Sequence, residues 1–225
     1  MRKILISVAV SAFFFTTSLQ AQVENSTITS TKPDVNPVIV DVITGSRYTM
    51  YQLVVNKKFL SIPKLGFFSV TEGTSPWKRE DTPELMTQAH LTYRLFKGFD
   101  ILGGMQYTSG GNFRPATALF YAITHRDIFF LLNPKVEFTK NYDSELVTVL
   151  EYTPKINKSL NLYSRIQTLY SFVPNSGDHN RSYVILRAGI NYKEFTFGPG
   201  AHLDWYGPEK LFKNNVGIFV RALLY

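Results

Sequence analysis

The feature that most constrains this chain is an alternation of apolar and polar residues with a period of two, held over unusually long segments. Phe130, Leu132, Pro134, Val136 and Phe138 alternate with Leu131, Asn133, Lys135, Glu137 and Thr139. Phe99, Ile101, Gly103, Met105 and Tyr107 interleave with Asp100, Leu102, Gly104, Gln106 and Thr108 in the same way. Between 85 and 95, Leu85, Ala89, Leu91, Tyr93 and Leu95 share one face, while Gln88, His90, Thr92 and Arg94 share the other. Successive side chains of a strand point to opposite faces, so each segment is a strand with one oily and one polar side. Helical spacing fits none of them better. Soluble sheets use strands of about five or six residues. These run to nine or more, close to the roughly 9–11 tilted residues that carry a β-strand across a bilayer.

Turn residues punctuate the pattern into twelve strands, near 38–44, 47–57, 63–72, 85–95, 98–109, 114–124, 127–139, 144–153, 159–171, 181–192, 194–205 and 214–224. Tight connections at Lys97-Gly98, His125-Arg126 and Lys193-Glu194 alternate with longer polar ones at 73–84, 110–113, 172–180 and 206–213. An even strand count puts both chain ends on the short-turn rim. Unpaired backbone groups in lipid cost several kcal/mol each, so strands can span a membrane only as a ladder closed on itself. The expectation is therefore all-β: a closed antiparallel up-and-down transmembrane β-barrel of about twelve strands.

The chain start reads as an address. Arg2 and Lys3 precede an uncharged, mostly apolar stretch from Ile4 to Phe15, and Thr16 to Ala21 form a more polar end. This is the layout of a secretory signal peptide cleaved after Ala21. Residues 1–21 are thus assigned to export, 22–37 to a Ser/Thr- and Pro-rich periplasmic lead-in, and 38–225 to the barrel. No later stretch is long and apolar enough for a spanning helix. The absence of cysteine excludes a disulfide scaffold and a thiolate nucleophile. With 24 Lys+Arg against 17 Asp+Glu spread along the whole sequence, no clustered basic face marks a nucleic-acid binder.

On the strand period, the loop asymmetry, the export signal and the terminal aromatic Tyr225, residues 38–225 resemble a small Gram-negative outer-membrane β-barrel, porin-like and of the twelve-stranded size class. The resemblance implies an outer-membrane location, contact with lipid, and recognition by the barrel-assembly machinery through the last strand. Two phases of that strand are open. Counting back by twos from Tyr225 turns Arg221 to lipid, whereas Val216, Ile218, Val220, Ala222 and Leu224 outward sends Arg221 inside. The second avoids the roughly 2–4 kcal/mol cost of a mid-membrane arginine. Tyr48, Tyr51, Tyr93, Tyr107, Tyr152, Tyr170, Tyr192, Trp205 and Tyr206 fall near strand ends, as aromatic girdles at the two interfaces do.

Function would then reside on the inward faces. These carry the basic Arg94, Lys135, Arg165, Arg187 and Arg221, the acidic Asp41, Asp100, Glu137, Glu151 and Asp204, and the histidines His90 and His202. A barrel of twelve strands encloses more than one of eight and far less than a porin of sixteen. Paired charges inside it suit either a salt-bridged plug or a narrow pore for polar solutes. A hydrolase would need a nucleophile beside its base, but His90 is followed two residues on by Thr92 and His202 by Asp204. Neither matches the His-x-Ser spacing of outer-membrane lipid hydrolases, and no cofactor or metal is expected. The reading is a passive channel for small polar or charged solutes. The alternatives are a structural or adhesive barrel with a closed lumen, and a soluble periplasmic barrel with its oily face turned inward around a ligand.

Overall fold

The structure, a computed structural model, describes residues 36–225; the export segment and nearly all of the lead-in lie outside the described residues. Twelve strands follow one another among the described residues: β1 (Val38–Gly45), β2 (Tyr48–Phe59), β3 (Ile62–Pro76), β4 (Leu85–Phe96), β5 (Phe99–Thr108), β6 (Arg114–His125), β7 (Ile128–Glu137), β8 (Ser144–Tyr152), β9 (Leu160–Phe172), β10 (His179–Tyr192), β11 (Phe195–Tyr206) and β12 (Leu211–Leu224). Each pairs antiparallel with its neighbours in sequence, and β1 pairs with β12 from Val38↔Leu224 to Gly45↔Gly217, closing the sheet. No edge strand remains, so the ladder satisfies its own backbone groups.

Both faces follow the alternation. Leu91 and Ile218 stand more than 60% exposed on the outside, while Asp41, Lys135, Arg187, Asp204 and Arg221 are each at most 6% exposed within. The outward set continues around the cylinder through Leu119, Ile123, Leu150, Ile166, Leu186 and Val220. An apolar surface this continuous far exceeds the few hundred Å² a soluble monomer tolerates. It requires hydrocarbon, which excludes the soluble barrel with an oily interior. The last strand adopts the phase that hides Arg221 and turns Ile218 outward. Substituting the mid-strand, outward Leu186 by Arg is expected to cost about 2–4 kcal/mol, and the same change at the outward rim residue Phe212 ~0–1 kcal/mol. Urea titrations in lipid vesicles read both.

Several strands run further than their sequence signal. β3 continues to Pro76 and β12 begins at Leu211, so the connections expected at 73–84 and 206–213 shrink to 77–84 and 207–210. The extended pairs Tyr51↔Gly73 and Asp204↔Lys213 carry the ladder up the rim. The tight turns use left-handed backbone, with φ of 81° at Gly98, 52° at Arg126 and 53° at Lys193. The β10–β11 register is the same on both sides of Gly198-Pro199-Gly200, at Arg187↔Gly200 and at Ile190↔Phe197, so no residue is inserted there. A Cβ on Gly198 would meet Ala188 O at 2.1 Å and Gly189 Cα at 2.6 Å, so glycine permits close approach of the two backbones.

At the barrel seam, Asn215 anchors the β1–β2 turn. Its Oδ1 accepts from the Arg47 amide at 2.9 Å and its Nδ2 donates to Tyr48 O at 3.1 Å. The first hairpin is thereby tied to the last strand.

Candidate functional site

The interior divides into a packed wall and an open passage. β9, β10, β12, β1 and β2 contribute Tyr163, Tyr183, Ile185, Phe219, Ile43 and Met50 to one buried apolar cluster, which fills that side of the cylinder. Around it the charges are paired. Arg187 Nη2 donates to Asp41 Oδ1 at 3.0 Å, with both side chains at most 3% exposed. Arg181 Nη2 meets Asp204 Oδ2 at 2.6 Å, and His202 Nε2 lies 3.3 Å from the same oxygen. His202 Nδ1 is 2.9 Å from the Tyr48 hydroxyl. Such pairing offsets part of the cost of withdrawing these charges from water.

The opposite side, from β2 through β8 to β9, holds a smaller buried cluster of Phe68, Val70, Leu102, Ala118 and Phe120, and beside it the interior is open. A cavity of about 450 Å³ opens at the rim of short turns, lined by Asp41, Arg94, Asp100, Glu151 and Arg165 among others. A second, of about 480 Å³, lies at the loop rim beside Glu72, Arg114, Glu137, Asp143, Glu145 and Arg181. Between them is a waist of about 100 Å³. The waist shares Gln52, Phe68, Phe120, Val149 and Arg165 with the turn-side cavity, and Glu72, Glu145 and Tyr183 with the loop-side one. Phe68 and Phe120, with ring centroids 5.3 Å apart, form its apolar flank. Its polar flank is amide-rich, with Gln52, Gln88, Asn133 and Gln167.

Ion pairs brace this passage at three levels. Near the turn rim, Asp100 receives Lys58 Nζ at 2.7 Å and is also paired with Arg94. Glu151 accepts from Arg165 Nη1 at 3.0 Å and from Arg221 Nη1 at 2.9 Å, and Arg221 also contacts the Tyr163 hydroxyl. Toward the loops, Lys135 Nζ sits 2.7 Å from Glu145 Oε2 and 3.4 Å from Glu137 Oε1, and contacts Gln106. Arg114 Nε lies 3.0 Å from Glu137 Oε2. His90 is 2% exposed, its Nε2 3.3 Å from Gln88 Oε1.

All eleven inward residues named from the sequence, and Asp41 with them, face the interior, but they do not share one place. Arg94, Asp100, Lys135, Glu137, Glu151 and Arg165 line the open side. His202, Asp204, Arg187 and Arg221 belong to the packed wall, and His90 is buried beside Gln88. Sequence reading did not single out Lys58, Glu72, Glu145, Tyr183 or Arg181, nor the waist glutamines. Arg181 opened a strand and Glu72 closed one, where a face is hardest to assign. Two girdle assignments are corrected. Tyr48 turns inward to His202, and Tyr206 turns inward to donate to Glu84 Oε2 at 3.1 Å while Arg181 stacks over its ring. Tyr51, Tyr93, Tyr152, Tyr170 and Tyr192 do face outward, each 41–48% exposed.

An apolar exterior, an ionic interior and a sealed antiparallel ladder of twelve strands define a porin-like outer-membrane β-barrel. Among solved structures, the KdgM porin in complex with disordered oligogalacturonate is 16% identical, with a TM-score of 0.47 over 84% of this chain and 100% of that one. The NanC porin is 12% identical, with a TM-score of 0.47 over 85% and 100%. LpxR from Salmonella typhimurium is 7% identical, with a TM-score of 0.44 over 84% and 99%. No protein-family model and no curated protein matches the sequence. Likenesses this distant concern topology alone.

Proposed function

We propose that the protein is a passive outer-membrane channel for small polar solutes, and not an enzyme. The observation that carries this reading is the run of three cavities with shared linings, from one rim to the other, along the β2–β9 side. A salt-bridged plug would fill both sides of the cylinder, whereas here the packed wall leaves a passage beside it. Charged and amide groups facing that passage replace part of a solute's hydration, while its narrowness limits what enters. The export segment 1–21 and the aromatic, alternating C-terminal strand suit delivery to the barrel-assembly machinery.

The packed wall, with Asp41–Arg187 and the cluster around Ile185, favours a second reading: a structural barrel that conducts nothing. Purified protein inserted in planar bilayers separates the two. Discrete single-channel steps in potassium chloride are the expected result, and a baseline identical to protein-free bilayer would overturn the channel.

A further inference from the structure

The two ends of the waist bear opposite charge that the protein itself does not neutralise. At the loop-side end stands Glu72, 7% exposed, whose Oε2 accepts from Gln52 Nε2 at 2.9 Å. Among the described residues no ion pair is made to its carboxylate. Arg181, which shares its vestibule, is taken up by Asp204 at 2.6 Å and Glu84 at 3.5 Å. Glu145, at the same end, is already held by Lys135 at 2.7 Å. At the turn-side end the excess is positive. Arg165 and Arg221 divide the single carboxylate of Glu151, at 3.0 and 2.9 Å, and the buried Arg165 Nε has no hydrogen-bond partner.

A solute crossing this waist meets a surplus of carboxylates on the loop side and a surplus guanidinium on the turn side, with amides between. On the loop side Glu72, Glu137, Asp143 and Glu145 face only Arg114 and Lys135 once Arg181 is engaged by Asp204 and Glu84. A simple anion is repelled at the loop-side end and a simple cation at Arg165, because like charges gain nothing from a low-dielectric constriction. A molecule with an ammonium at one end and a carboxylate at the other satisfies both. On the channel reading above, we propose that the waist selects small zwitterions of the amino-acid class, passing with the ammonium toward the loop rim and the carboxylate toward Arg165. The size agrees. A waist of about 100 Å³ is several times the roughly 10–15 Å³ that a single buried water needs, enough for a compact backbone, and the vestibules accommodate the rest.

Swelling of proteoliposomes, corrected for protein-free liposomes, tests this with four probes: L-serine, erythritol as an uncharged solute of similar size, sodium gluconate and choline chloride. Serine is expected to enter about fivefold faster than erythritol, and faster than either salt. Glu72→Gln and Arg165→Gln should each lower the serine-to-erythritol ratio about fivefold. Erythritol entering the unaltered protein as fast as serine overturns the proposal, whether or not the variants fold. A ratio that neither variant changes overturns it too. If no solute enters at all, the channel reading itself falls, and this inference with it.

Discussion

Arg187→Met is expected to destabilise the barrel by about 3 kcal/mol, the low end of the range for removing one partner of a buried ion pair. The substitution removes the guanidinium whose Nε and Nη2 donate to Asp41 Oδ1 at 3.2 and 3.0 Å. Asp41, 3% exposed, would then keep its charge without its partner. Arg221 stands opposite Asp41 in the β1–β12 register, which softens the loss, but its guanidinium is already engaged with Glu151 and Tyr163. Removing both partners, as in Asp41→Asn with Arg187→Met, is expected to recover most of the loss, since the desolvation of both ions disappears with their attraction. Urea-induced unfolding in lipid vesicles measures each variant. A single substitution as stable as the unaltered protein would mean that this pair does not hold the packed wall together.

The pairing behind that prediction was not legible in the sequence, and the reason is geometric. The alternation reports which face a residue is on, because a strand has only two faces. It carries no information on which inward residue meets which across a cylinder, since that depends on strand stagger and closure. Arg187 and Asp204 were both correctly placed inside, yet Arg187 reaches across to β1 and Asp204 is held by Arg181 from its own hairpin. The inward apolar residues were obscured for another reason. Phe68 and Val70 face the lumen with Glu72, on a strand where Phe67 and Ser69 face out, so both faces of β3 mix polarities and the period fades. Strands with clean alternation, such as β7 and β11, gave their phase and most of the charged lining. The waist drew its glutamines and Tyr183 from β2, β4, β9 and β10, and only the folded register brings those strands around one opening.

Val149→Trp is expected to lower single-channel conductance about tenfold. Val149, on β8, is 4% exposed and lines both the waist and the turn-side cavity. An indole in place of an isopropyl group adds a volume of the same order as the waist cavity, about 100 Å³. The apolar groups beside it, the cluster of Phe68, Val70 and Phe120 and the wall around Tyr183 and Ile185, are already packed, so the ring stays in the opening. Leu150→Trp supplies the control. It lies one residue further along β8, faces outward at 44% exposure, and a tryptophan there sits in lipid. Conductance should be unchanged by it. Phe120→Ala, which removes a ring from the apolar flank of the waist, should raise conductance about twofold. The three variants separate occlusion from misfolding, since a general loss of folded barrels would lower the number of insertion events and leave the size of each step intact. Equal conductance loss in Val149→Trp and Leu150→Trp would place the conducting path somewhere other than the β2–β9 side.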